Sequence, residues 1–186
     1  MWYCVVTLLY QIWTLFVFFL GTYFSLSCKL VNLIKNGLNE NEVKNKYTHA
    51  FIDCKPLSSG TLVIQALVAS TDIIIPMKAS AASIKSLLLL YKAIAEIKNT
   101  LNPEIKIAGI LITRYKNTRI ENANIQNLKT WAKVNNTKVY NTIIPDGIGI
   151  DEAQGFSESI YEYNYRIGKE KPAKAYLEFI NEYLAD

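Results

Sequence analysis

Residues 47 to 76 constrain the fold more than any other stretch of the chain. A short apolar run, Tyr47-Thr48-His49-Ala50-Phe51-Ile52, ends in Asp53 and breaks at Lys55-Pro56. Such a run reads as a buried strand that delivers a carboxylate to its carboxyl end, where open α/β sheets keep their ligands. After Gly60 the apolar positions Leu62, Ile64, Ala66, Leu67 and Val68 suit a short helix. Asp72-Ile73-Ile74-Ile75 then reads as a second strand closed by Pro76. A strand that returns to a strand through a helix commits the chain to α/β architecture, a mainly parallel sheet between helical layers.

The remaining pattern extends this alternation. Ile84, Leu87, Leu88, Tyr91, Ile94, Ala95 and Lys98 recur at the helical period, with Leu89 and Leu90 widening the apolar face, so a helix runs from near Ala79 to Ser83 as far as Asn99. Asn102-Pro103 ends it. The four leucines at 87 to 90 suit a helix packed on a sheet, with a partner surface as the alternative. Ile105 to Thr113 reads as an interior strand ending at Thr113-Arg114, and Val139 to Ile144 as another closed by Pro145. Between them Ile120, Ala123, Ile125, Leu128, Trp131 and Ala132 form the buried face of a helix. Asp146 to Gly155, with Gly147 and Gly149, reads as a flexible loop, and its carboxylates lack the spacing of a calcium loop. Tyr161, Tyr163 and Tyr165 alternate as an extended segment would. Pro172 opens a last helix with Tyr176, Phe179, Ile180, Tyr183 and Leu184 on one stripe.

Residues 1 to 28 carry no Asp, Glu, Lys, Arg or His, unlike everything after Lys29. As a helix they would extend about 42 Å, enough to cross a hydrocarbon core of about 30 Å. A transmembrane helix is therefore expected, with Lys29, Lys35, Lys44 and Lys46 holding residues 29 to 186 on the cytoplasmic side, at the inner face of the membrane. A remnant or a core filler is the alternative. Residues 29 to 46 suit one or two short amphipathic helices. The three cysteines are too few and too scattered for a disulfide framework and form no metal motif, which fits a reducing cytoplasm. His49, the single histidine, has no Ser or Cys partner at a catalytic spacing.

The series strand-Asp53-x-x-Pro56, Leu62-x-x-x-Ala66-Leu67-x-Ala69-Ser70 and Ile74-Ile75-Pro76 resembles the second half of the ParA/Soj family of plasmid and chromosome partitioning ATPases, relatives of MinD. The resemblance continues through Leu101-Asn102-Pro103, Ala108-Gly109-Ile110-Leu111-Ile112-Thr113, Arg119, Ile143-Ile144-Pro145, Glu152-Ala153 and Ala173-Lys174-Ala175-Tyr176-Leu177-Glu178. It covers roughly residues 30 to 186. The fold it implies is the deviant phosphate-loop one, here without its N-terminal part: the Gly-rich, lysine-bearing loop that surrounds a triphosphate is not found in the sequence.

The resemblance implies DNA partitioning, with ATP and Mg2+ as cofactors, ATP-dependent homodimerisation, non-specific DNA binding and a ParB-like partner. Asp53 would act through water on the nucleotide's magnesium, as catalytic and metal residue. Thr113, Arg114, Pro145 and Asp146 would lie at the nucleotide. Residues 114 to 138 carry six basic side chains against Glu121 alone, a net +5. Arg119, Lys129 and Lys133 are accordingly DNA candidates, with Arg166, Lys169, Lys171 and Lys174 as a second set and a solvated surface as the alternative for both. A non-enzymatic module anchored by residues 1 to 28 and keeping only DNA or protein contact is the competing function; a truncated gene remnant is a further one.

Overall fold

The computed structural model describes residues 3–8, 33–54, 61–168 and 170–185. It divides into two compact units, Met1–Ile75 with Ala82–Ala108, and Pro76–Ala81 with Gly109–Asp186.

In the first unit β1 (Tyr3–Leu8) stands between β2 (His49–Cys54) and β3 (Asp72–Met77), all parallel. Tyr3 lies opposite His49 and Thr7 opposite Asp53, while Val5 faces Asp72 on the other side. Every residue of β3 is buried, as an unalternating apolar run in a sheet covered on both faces requires. Lys106, at the start of β4 (Lys106–Tyr115), donates its N–H to the Thr71 carbonyl at 3.0 Å, and its Nζ lies 3.2 Å from the buried Asp72 carboxylate. The short helices α1 (Leu33–Leu38) and α2 (Asn41–Lys46) precede β2, as their amphipathic spacing suggests. Helix α3 (Thr61–Ala69) buries Val63, Ala66, Leu67 and Val68. Helix α4 (Ala81–Thr100) buries Ser83, Leu87, Leu90, Ile94 and Ile97. The leucine run is thereby split, since Leu88 and Leu89 are 42% and 63% exposed. Asn102, buried after α4, donates to the carbonyls of Leu67 and Ser70 at 2.9 and 2.7 Å and so ties the end of α4 to the end of α3.

Two expectations are corrected in this unit. Tyr3–Leu8 is a strand hydrogen-bonded on both sides, so an apolar helix spanning residues 1 to 28 does not hold over these positions; residues 9 to 28 lie outside the described residues. The physical reason is that an uncharged apolar run satisfies a doubly paired parallel strand as well as it satisfies a membrane helix. Among the described residues no helix is long and apolar enough to cross a membrane. Nor is β2 a buried strand, because no described strand pairs its outer side and Phe51 is 67% exposed.

In the second unit β4 pairs β5 (Val139–Pro145) in parallel. Helix α5 (Arg119–Val134) follows β4, and α6 (Ile148–Gly155), α7 (Ile160–Ile167) and α8 (Lys171–Leu184) follow β5. The buried face of α5 is Ile125, Leu128 and Ala132; Ile120, expected inside, is 74% exposed in the first turn. Two segments assigned from sequence to loop or extended chain are helical. Residues 148–155 form α6 despite their glycines, and the three alternating tyrosines lie on α7, where only Tyr163 turns inward. Ser159 and Glu162 close a reciprocal cap at the start of α7, each side chain accepting from the other's backbone N–H. That Ser-x-x-Glu spacing is the sequence signal which outranks the alternation.

The outer edge of β5 is closed by α8. The Glu182 carboxylate accepts the N–H groups of Asn141 and Thr142 at 2.7 and 2.9 Å and the Thr142 hydroxyl at 2.7 Å. Burial alone would push this carboxyl up, but those bonds, with Lys138 nearby, outweigh it and hold it below the usual glutamate value. A depressed native value contributes stability that is present above the ordinary carboxylate value and is lost as pH falls through the native one. Glu182→Gln is therefore expected to cost about 1.5–3 kcal/mol near neutral pH, as charge-assisted bonds do. The cost should shrink in acid when unfolding midpoints are compared across pH, and a pH-independent difference would take the charge out of the explanation.

Candidate functional site

The carboxyl ends of β4 and β5 are shaped by a register slip. Ile112 faces Ile143 and Tyr115 faces Pro145, so three steps along β4 match two along β5. The extra residue is accommodated by Arg114, whose φ of 53° lies in the left-handed region. That conformation costs a non-glycine residue about 1–3 kcal/mol and persists where surrounding contacts determine it. Here the Asp146 N–H donates to the Tyr115 carbonyl at 2.9 Å, and Arg114 reaches Asp146 through Nε at 3.2 Å and Asp151 through a terminal nitrogen at 3.4 Å. Lys116 Nζ adds a contact to Asp146 at 3.3 Å. The bulge thus re-aims one arginine onto two carboxylates. Burial pushes the Asp146 carboxyl up, but Arg114 and Lys116 prevail and keep it below the usual aspartate range.

The neighbouring elements hold this end in place. Thr118 caps α5 with Glu121, whose carboxylate also accepts the Lys116 N–H at 3.1 Å, so the single acidic residue of the basic stretch serves local structure. On α6 Glu152 accepts the Tyr163 hydroxyl at 2.7 Å. Gly149 is required there, because a Cβ would sit 2.5 Å from Asn164 Oδ1 on α7. What the cluster offers is fixed charges and hydrogen-bonding groups held by the β4–β5 register.

The AAA_31 family model, an AAA domain, matches residues 24–107. The sporulation initiation inhibitor protein Soj of Bacillus subtilis is 31% identical over 144 residues, covering 77% of this chain and 54% of Soj. The chain is a relative of the Soj and ParA partitioning proteins. The chromosome partitioning protein ParA of Caulobacter vibrioides is 25% identical over 152 residues, 82% of this chain and 55% of that protein. This Soj/ParA relative accordingly spans about half the length of the curated relatives it matches. Among solved structures, an ATP complex of McdA from Cyanothece superposes with a TM-score of 0.66 at 18% identity over 83% of this chain and 57% of McdA. At that identity the match establishes the α/β fold.

Within the Soj/ParA relative the sequence-derived candidates fall into separate groups. Arg114, Pro145 and Asp146 come together at the β4–β5 end, with Thr113 half-buried just before the bulge. Lys116 and Asp151 belong to the same cluster and were not singled out as its members, since nothing local links charges some thirty residues apart. Asp53 is exposed near the end of β2 in the first unit. Arg119 and Lys133 are exposed on α5 and Lys129 is half-buried; among the described residues none of the three is in an ion pair. The second basic set differs. Arg166 is paired with Glu158 at 2.9 Å and lies over the Phe156 and Tyr163 rings, and Lys174 is paired with Glu170 at 2.6 Å. Lys171 is exposed, and Lys169 lies outside the described residues.

The β4–β5 end is poorly suited to a nucleotide's phosphates, because both cations there already face carboxylates and Asp146 and Asp151 would repel an anion. Asp53, one exposed carboxylate, fits a magnesium ion held mainly by water and phosphate oxygens, which takes only one or two carboxylates. Among the described residues no three His, Cys, Asp or Glu side chains are grouped as a metal cage.

Proposed function

We propose that this chain acts in DNA partitioning as a Soj/ParA-type protein of the cytoplasm, with ATP-dependent dimerisation, non-specific DNA binding and a ParB-like partner. The likeness to Soj over 144 residues carries the reading. ATP with magnesium would supply the family's phosphoryl-transfer switch. Asp53 would orient water on that magnesium, and Thr113, Arg114, Pro145 and Asp146 would hold the base end. Arg119, Lys129 and Lys133 would neutralise DNA phosphates, which needs positive charge and no reading of bases. Arg166 and Lys174 rank below them, since each already has an anionic partner.

The competing reading is a non-enzymatic module that keeps only DNA or protein contact and binds no triphosphate. Calorimetry of magnesium-ATP binding to the folded full chain separates the two. Under the first reading ATP binds, and Asp53→Ala abolishes the magnesium dependence of that binding. Binding that keeps its magnesium dependence in the variant would remove Asp53 from the mechanism. No binding by the folded wild-type chain would leave the binding module.

A further inference from the structure

Helix α8 carries two apolar faces, and β5 uses only one of them. The inner face packs on the strand, with Phe179 edge-on to Tyr140 and Glu182 on the Asn141 and Thr142 N–H groups. Leu177, Ile180 and Leu184 form a second stripe and are 52%, 42% and 61% exposed, although the sequence pattern places Ile180 and Leu184 inside. With Ala173 they are spaced four, three and four residues apart, the spacing that keeps one seam of a helix against another helix. Where this stripe begins, α7 and α8 border an open groove of about 480 Å³. Tyr161 and Tyr165 of α7 and Leu177 of α8 line it, Ala173 lies in it at 7% exposure, and Glu170 and Lys174 add an ion pair of 2.6 Å. The chain on both sides of the groove is described, from Phe156 to Gly168 and from Glu170 to Ala185.

The stripe is self-complementary. We propose that α8 is the contact helix of a nucleotide-independent homodimer, two copies packing antiparallel along these four positions. An occupant of a groove made of helix faces must satisfy its own backbone hydrogen bonds, as a helix does and an extended strand does not. A two-fold axis midway between Leu177 and Ile180 sets Leu177 against Ile180 and Ala173 against Leu184 of the other copy, so every position of both stripes is used. A slide along the helices leaves at least two of the four unmatched. Ala173, the small member, leaves the hole, and Leu184 of the other copy is the knob that fills it. The same antiparallel order brings Lys174 of one copy to the last turn of α8 in the other, which is the negative end of that helix and holds no basic residue of its own. An anionic membrane is the poorer fit, since it calls for a basic rim and the lysine there is already matched by Glu170.

Sedimentation velocity of the full chain without nucleotide tests this contact, and omitting nucleotide keeps it separate from the ATP-dependent dimerisation proposed above. A dimer is expected at micromolar concentration. Leu177→Lys places a charge at the middle of the stripe and is expected to give a monomer that stays folded by circular dichroism, because the side chain it replaces is exposed. Leu184→Ala removes the knob at two symmetric positions and should weaken association roughly tenfold. Glu178→Ala, on the same helix but about 100° around from Leu177, should leave association unchanged. A wild-type chain that is monomeric overturns the proposal, including one that binds anionic lipid vesicles instead. So does an unchanged dimer in folded Leu177→Lys or in Leu184→Ala, or an equal loss from Glu178→Ala and Leu184→Ala.

Discussion

Gly109→Val is expected to lose about 3 kcal/mol of stability through overpacking. A Cβ at Gly109 would meet Cε2 and Cζ of Tyr140 at 2.6 and 2.9 Å. The ring has little room to yield. Tyr140 is only 1% exposed, Phe179 stands edge-on to it with centroids 4.9 Å apart, and Lys138 lies over it at 4.6 Å. Glycine here is a packing requirement of β4 against a β5 side chain rather than a turn. The measurement is the urea midpoint, followed by far- and near-ultraviolet circular dichroism. Combining the change with Tyr140→Leu should recover part of the loss, since the two positions share one space. An unchanged midpoint in Gly109→Val would mean that the ring moves freely.

The second large effect concerns DNA. Lys129→Glu with Lys133→Glu is expected to reduce non-specific DNA affinity by roughly ten- to a hundredfold and to lower the steepness of its salt dependence by about two counterions. The same reversal at Lys174 should do much less, because that ammonium already faces Glu170 at 2.6 Å. Filter binding or anisotropy on a DNA of arbitrary sequence, repeated across salt concentrations, reads both quantities. Equal losses from the two sites would remove the distinction drawn from the ion pairs. No loss from the α5 pair would return Lys129 and Lys133 to a solvated helix face.

The charge count of the basic stretch shows where sequence and structure part. Arg114, Lys116, Arg119, Lys129, Lys133 and Lys138 read as one positive surface of net +5. Arg114 and Lys116 are instead committed to Asp146 and Asp151, and Lys138 to the Tyr140 ring. Three cations remain for a phosphate backbone. Ion pairing between residues some thirty positions apart depends on the β4–β5 register, which no local pattern records.

What the sequence by itself determined was the succession of elements wherever period and punctuation agree. The buried β3 run, the existence of α4 with Leu87, Leu90 and Ile94 inside, the β5 strand stopped at Pro145 and the proline-opened α8 were legible because each rests on contacts within a few residues, whereas the other inward positions of α4, Ser83 and Ile97, were not, and Leu88 and Lys98 of the expected stripe are exposed. The resemblance to the partitioning family was legible on the same order of motifs. Only the tertiary structure decided that Tyr3–Leu8 is a strand between β2 and β3, that Phe51 of β2 is exposed rather than buried, and that Arg114 bends out of its ladder to reach two aspartates. An apolar run records that it must leave water; which surface receives it is a property of the neighbours.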